Sequence, residues 1–220
     1  MSTLSEIQNR LQKTHLGAEI LAVSKLQSVE KIRDLYQQGQ RKFAENYVQE
    51  AVEKQEELRD LGIEWHFIGH LQKNKIKNVI GRFALIHSVD SLELAQALDR
   101  RAAEAGLQQK ILLQLNLAEE ETKGGFTELE FETCVPKLRE LRNAQIVGLM
   151  TMPPLFDNPE DARPFFKKLS NIRDQYFSLL PNLKILSMGT SSDYWVAAEE
   201  GASLVRLGTL LFGERPARGK

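Results

Sequence analysis

Eight short apolar or β-branched runs alternate along this chain with longer segments of helical periodicity, and that alternation restricts the fold to parallel strands joined by helical crossovers. An amphipathic opening helix over Ser5–Leu16 precedes strands expected at Glu19–Ser24, Lys42–Glu45, Ile63–Ile68 and Ala84–Val89. Helices are expected over Val29–Gln38 and Tyr47–Leu61, with a short basic helix in LQKNKIKNVIGR. The segment SLELAQALDRRAAEAG reads as a helix with Ser91 as its N-cap and Gly106 as its stop. In the second half, strands fall at Lys110–Leu117, Ala144–Thr151, Lys184–Gly189 and Leu204–Gly208, separated by helices from Thr127 towards Arg142, over Pro159–Leu180 and over Ser192–Gly201. Eight consecutive units without a linker favour one closed α/β domain over residues 1–220, a TIM-like β/α barrel with an extra N-terminal helix. The chain is compact beside the roughly 250 residues typical of that fold. An open doubly wound sheet is the alternative, because periodicity does not report closure.

Composition excludes several partners. With 42% hydrophobic and 27% charged residues, 220 residues can bury a substantial core. The formal net charge is −1, with both signs interspersed, so no basic stripe is present to hold a nucleic-acid backbone. The single cysteine, Cys134, has no partner for an intramolecular disulfide and reads as a small helix-face hydrophobe. No apolar h-region opens the chain and no stretch is apolar enough to cross a bilayer, so a soluble cytoplasmic protein is expected.

A barrel meets its ligands at the carboxyl ends of its strands, which nominates residues by position. Lys25 ends the run ILAVSK, where an apolar wall and a nearby cation would favour the neutral amine. Taken alone it reads better as a lysine snorkelling to solvent. SMGTSSD and RLGTLLFG form two small-residue turns after strands seven and eight, where barrels commonly hold phosphate; they read equally as ordinary turns. Ser191, Ser192 and Thr209 offer hydroxyls there, while Gly189 and Gly208 allow close backbone approach. Arg206 would point into the barrel, with Val205 and Leu207 outward, and needs an acceptor: a ligand's ring nitrogen or a carboxylate such as Glu45. His66 and His70 in HFIGH lack the glutamate of a zinc-protease motif, and KGG at 123–125 lacks P-loop order. Lys73, Lys75 and Lys77 read as a solvated face that could also dock a protein.

Together AVSK, FAENYVQE, WHFIGHLQKNK, GLMT, LSMGTSSD and VRLGT with its trailing FG, in that order over nearly the whole chain, resemble the pyridoxal phosphate homeostasis family. That family comprises single-domain relatives of the alanine racemase barrel. The resemblance implies fold-type III and a pyridoxal 5′-phosphate (PLP) internal aldimine on Lys25. It implies phosphate contacts at Ser191, Gly208 and Thr209, with Ser192 beside them, and Arg206 against the pyridine nitrogen. Asn46, His70, Met150 and Ser187 match positions near the cofactor. Thr190 departs from the family's S-M-G-M-S run.

The family likeness further implies a monomer that serves vitamin B6 and amino-acid and keto-acid homeostasis without established catalysis, with an apoenzyme or regulatory protein as a transient partner. Arginine at the ring nitrogen would weaken the electron sink on which PLP enzymes depend, although related racemases also use arginine there. The chain also ends at ERPARGK, just after the last turn, leaving no room for the racemases' β-domain. A vestigial amino-acid racemase and a metabolite-responsive interaction module are the competing expectations.

Overall fold

In the computed structural model, residues 3–14, 17–120 and 122–213 are described. Helix α1 (Leu4–Gln12) starts at a reciprocal cap, with Glu6 N–H donating to Thr3 Oγ1 and Thr3 N–H to Glu6 Oε2. His15 and Leu16, the last two residues of the expected opening helix, lie outside the described residues.

The strands are β1 (Glu19–Val23), β2 (Lys42–Glu45), β3 (Glu64–Phe67), β4 (Leu85–Val89), β5 (Gln109–Leu115), β6 (Ala144–Thr151), β7 (Ile185–Thr190) and β8 (Leu204–Leu207). All are parallel, in sequential order, and β8 returns to β1 with Glu19 opposite Leu204 and Ala22 opposite Leu207. The sheet is closed, which excludes the open doubly wound alternative.

Around it run α2 (Val29–Gln37), α3 (Val48–Glu57), α4 (Leu92–Glu104), α5 (Glu128–Leu138), α6 (Arg163–Tyr176), α7 (Tyr194–Glu199) and α8 (Thr209–Phe212). Ser91 and Thr127 cap α4 and α5 as expected, and Gly106 lies in the left-handed region just past α4. Several helices are shorter than expected, two of them at prolines. Pro136 sits inside α5, and the helix ends at Leu138 instead of Arg142. Pro164 has no N–H to continue an α-helix begun at Pro159, so Pro159–Ala162 forms a 3₁₀ turn and α6 starts afterwards. Helix α3 stops at Glu57, four residues early. The basic segment forms a 3₁₀ helix, Lys73–Asn78, that buries only Ile76 and leaves Lys73, Lys75 and Lys77 exposed.

Most of the core lies between sheet and helices. A separate small cluster of Leu85, Leu112, Met150 and Leu204 plugs the barrel lumen. His87 lies two residues beyond Leu85 and Arg206 two beyond Leu204, so strand alternation turns these polar residues to the same inner side. Among the described residues, no helix is long and apolar enough to cross a membrane.

Closure demands tight backbone contact at Gly148, where a Cβ would stand 1.9 Å from the Ile185 carbonyl oxygen. Gly148→Ala is expected to force β6 and β7 apart at a cost of about 3 kcal/mol, the upper end of ordinary overpacking. Thermal unfolding checks this, with a melting temperature roughly 6–12 °C lower.

Candidate functional site

The carboxyl ends of β1, β2, β6, β7 and β8 converge on a cleft of about 480 Å³. Eight of the nominated residues line it: Lys25, Asn46 and Met150 on one side, Ser191, Ser192, Gly208 and Thr209 around the turns, and Arg206 at the base. Val23, Ile68, Met152, Leu155 and Thr190 line it too. These are mostly apolar wall residues, indistinguishable in sequence from ordinary strand ends and loops.

Two nominated residues do not line this cleft. His70 lies in a separate depression with Lys73 and Ser91, its Nδ1 3.4 Å from Asp90 Oδ2 and its side chain largely exposed. The chain leaves β3 at Phe67, and Gly69 packs so closely on Asn46 that a Cβ would meet its carbonyl oxygen at 1.9 Å; His70 is therefore carried over the rim. Ser187 is fully buried beneath Arg206 and touches it from below.

Arg206 points inward as its position in β8 requires, while Val205 and Leu207 pack outward in the main core. Its guanidinium donates to Ser187 Oγ at 2.8 Å and to the Thr151 carbonyl at 3.0 Å. Burial lowers its pKa to about 10, against the favourable field of Asp193, so it stays protonated at neutral pH. The expected alternative acceptor, Glu45, is engaged elsewhere: its Oε1 accepts from Ser24 Oγ at 2.7 Å and Lys54 Nζ at 2.8 Å. Glu45 sits on β2 beneath the loop after β1, not beneath β8, which corrects the pairing considered from sequence.

That loop carries Lys25 and is held from three sides. Lys54 Nζ donates to the Ser24 carbonyl at 2.7 Å and to Glu50 Oε1 at 2.6 Å, and the same Glu50 oxygen accepts the Leu26 N–H at 2.6 Å. Leu26 has φ 62°, a left-handed conformation uncommon for a branched residue. Strain of this kind persists where surrounding bonds over-determine the backbone, and here they flank Lys25 on both sides. Desolvation raises the Glu45 carboxyl above its ordinary range, opposed by Lys54.

The two small-residue turns are joined, Gly208 N–H donating to Ser191 Oγ at 3.3 Å. The Ser191 hydroxyl hydrogen remains to be donated elsewhere. Thr190 adds a hydroxyl to the first turn: its N–H and Oγ1 both donate to Asp193 Oδ1, at 2.6 and 3.0 Å. Gly189 serves packing, since φ is +85° and a Cβ would lie 2.5 Å from the Ala197 Cβ of α7. At Gly208 a Cβ would meet only ordinary protein contacts, with the Val23 carbonyl oxygen 3.7 Å away.

One buried acceptor in the cleft, Asn46 Oδ1, has no hydrogen-bond partner. The amine, the guanidinium and the hydroxyl-lined turn are donors suited to a small anionic ligand, and the Asn46 acceptor would take a hydrogen from a polar group on it.

Residues 3–216 match the family model described as alanine racemase, N-terminal domain. The pyridoxal phosphate homeostasis protein of Aquifex aeolicus (strain VF5) is 45% identical over 219 residues, covering 96% of this chain and 95% of that protein. Its counterpart in Synechocystis sp. is 44% identical over 203 residues, covering 90% and 92%. Among solved structures, PipY of Synechococcus elongatus PCC7942 with PLP bound has a TM-score of 0.86 at 39% identity, covering 94% of this chain and 100% of that one. Alanine racemase of Clostridium difficile 630 has a TM-score of 0.75 at 19% identity, covering 98% of this chain but 59% of that one, a likeness of fold alone.

Proposed function

Because the chain belongs to the pyridoxal phosphate homeostasis protein family, we propose that it holds PLP reversibly on Lys25 and acts as a carrier or buffer of the cofactor in vitamin B6 and amino-acid and keto-acid homeostasis, without turnover of its own. The observation that carries this reading is the convergence of Lys25, Arg206 and the Ser191–Gly208 turns, from three strands, on one cleft. When bound, PLP supplies an aldehyde that condenses with amines and a ring that withdraws electrons.

Lys25 Nζ is the nucleophile, bonding the aldehyde carbon with release of one water. Ser191, Ser192, Gly208 and Thr209 hold the phosphate through hydroxyl and backbone donors, and Asn46 and Met150 bound the ring. Arg206 meets the ring nitrogen as a hydrogen-bond donor; protonated at neutral pH, it leaves that nitrogen neutral and the electron sink weak, which favours holding over catalysis. His70 and Ser187 act from outside the cleft, one on the rim and one beneath Arg206. Leu155, 84% exposed, and Met152, 45% exposed, leave the mouth open for exchange with an apoenzyme acceptor. We place the protein in the cytoplasm as a monomer that meets such acceptors transiently.

An absorption spectrum before and after borohydride reduction, followed by peptide mapping, tests cofactor and anchor together. The expected result is a near-visible band replaced on reduction by a stable adduct on the peptide containing Lys25. An adduct spread over surface lysines would overturn the reading.

A further inference from the structure

The barrel lumen contains a hydrogen-bond chain that reaches Ser187 and Arg206 through three residues, Glu64, His66 and His87, that the proposed function does not use. Glu64, at the start of β3 on the face opposite the cleft, has its Oε1 2.9 Å from His66 Nε2. His66 Nδ1 lies 2.8 Å from His87 Nε2, and His87 Nδ1 lies 2.9 Å from Ser187 Oγ. Ser187 in turn accepts from Arg206 at 2.8 Å. Four strands, β3, β4, β7 and β8, thus contribute to one line from solvent to the base of the cleft. His66, His87, Ser187 and Arg206 are all buried; the Glu64 side chain is 46% exposed.

Donor and acceptor capacity sets the direction of the chain. Arginine only donates, so Ser187 Oγ is an acceptor towards Arg206. Among the described residues, the other hydrogen-bond partner of Ser187 is His87 Nδ1, so the buried hydroxyl hydrogen is satisfied only by pointing there. His87 Nδ1 is then an acceptor and its Nε2 carries the proton, which goes to His66 Nδ1. His66 in turn carries its proton on Nε2 and donates to the Glu64 carboxylate. The reverse order, with His87 Nδ1–H donating to Ser187, would strand the serine hydrogen. Burial, followed by the fields of His66 and Arg206, drives the His87 pKa well below its ordinary range, in keeping with a neutral ring.

We propose that Glu64, His66, His87 and Ser187 form a positioning relay for Arg206, which locks both imidazoles as Nε2–H tautomers and presents a serine lone pair to the guanidinium from a carboxylate on the far face of the barrel. Arg206 is buried with two neutral hydrogen-bond acceptors; the relay supplies an oriented chain ending in negative charge, and each bond polarises the next. Lys42 and Lys110 lie in the field of Glu64 and, with His66, favour its ionised form. The consequence for ligand binding rests on the reading that Arg206 faces the PLP ring nitrogen; the tautomers themselves do not.

The test is nitrogen-15 NMR of the histidine and arginine side chains in the protein without cofactor, for the parent, Glu64→Gln and Glu64→Ala. Glu64 is half-exposed at a strand start, so both variants keep the fold. Both buried histidines are expected as Nε2–H tautomers in the parent and in Glu64→Gln, whose amide oxygen still accepts. In Glu64→Ala the His66 Nε2–H signal is lost to exchange and the Arg206 side-chain resonances shift. An Nδ1–H or doubly protonated His87 in the parent, or an Arg206 signal indifferent to Glu64→Ala, would overturn the relay. Loading with PLP separates the two readings: a shift of the absorption maximum in Glu64→Ala supports coupling to the ring. A parent that takes up no PLP but shows the expected tautomers fails the cofactor reading alone. Unchanged spectra with PLP bound in all three proteins would overturn the coupling.

Discussion

Lys25→Ala is expected to yield a folded protein that forms no borohydride-fixable adduct with PLP and holds the cofactor at least about 100-fold more weakly, some 2.8 kcal/mol at 1.4 kcal/mol per tenfold. The reasoning is chemical before it is structural. Among the cleft residues only Lys25 carries a primary amine, the group that bonds an aldehyde carbon with loss of water. Arg206 shares the cleft but is a protonated guanidinium and cannot replace it. The Ser191–Gly208 bridge remains in the variant with the Ser191 hydroxyl hydrogen still to donate, so the phosphate end of the ligand is still recognised and weak reversible binding persists. Lys25 is half-buried at a strand exit, and its truncation is expected to change folding stability by no more than about 1 kcal/mol. Lys25→Arg separates charge from nucleophilicity, because it keeps the cation and still forms no adduct. Intact mass after reduction, beside a spectroscopic titration, reads both effects. A Lys25→Ala protein that gained the mass of one reduced cofactor at a single internal site would remove Lys25 from its proposed role.

The barrel was legible because its signal is repeated: eight short apolar or β-branched runs, alternating with helical spacing, allow few topologies, and the closing pair β1–β8 was the part periodicity did not report. Most strand ends fell within one or two residues of their expected places. Two of the helix ends that moved lie at prolines, as at Pro164, whose missing N–H acts one turn earlier than hydrophobic pattern alone implies.

The site was legible where a residue's role follows from its position on a strand. Arg206 turns inward because its neighbours turn outward, and Lys25 follows β1 by necessity. His70 lies outside the cleft because its direction depends on how Gly69 meets Asn46, a contact between two loops that no one-dimensional spacing encodes. The His66–His87–Ser187 chain escaped notice for a similar reason. His66 and His87 are 21 residues apart and Ser187 a further 100, so only barrel closure brings them together. The i, i+4 spacing of His66 and His70 carries little weight on a strand end; the useful signal is strand parity, which puts His66 on the inner side with His87.

The cluster beneath the Lys25 loop gives the largest stability effect expected of a single side chain. Lys54→Met is expected to cost about 3–5 kcal/mol, the range for removing one partner of a buried ion pair. Lys54 and Glu45 are nearly inaccessible, at 8% and 0% side-chain exposure, and Glu45 Oε2 already lacks a hydrogen-bond partner. Without Lys54, Glu45 keeps the Ser24 hydroxyl, while the nearby Glu50 carboxylate still repels its charge. Its folded-state pKa, already raised by burial, rises further above the unfolded value. Between those two values the folded state binds more protons than the unfolded one, so stability increases as pH falls through the window. The deficit of Lys54→Met is therefore greatest at neutral pH and shrinks on acidification, and Glu45→Gln added to Lys54→Met recovers most of it. Urea unfolding of variant and parent at pH 7.5 and 5 reads the sign directly, and thermal unfolding at pH 7.5 is expected to give a melting temperature roughly 6–20 °C below the parent's. The same substitution frees the Ser24 carbonyl and loosens Glu50 from Leu26, so under conditions where the variant is folded its PLP adduct forms more slowly than the parent's. A Lys54→Met protein within about 1 kcal/mol of its parent at neutral pH would mean that Glu45 is protonated in the folded parent, and that the Lys25 loop is held by packing instead of by charge.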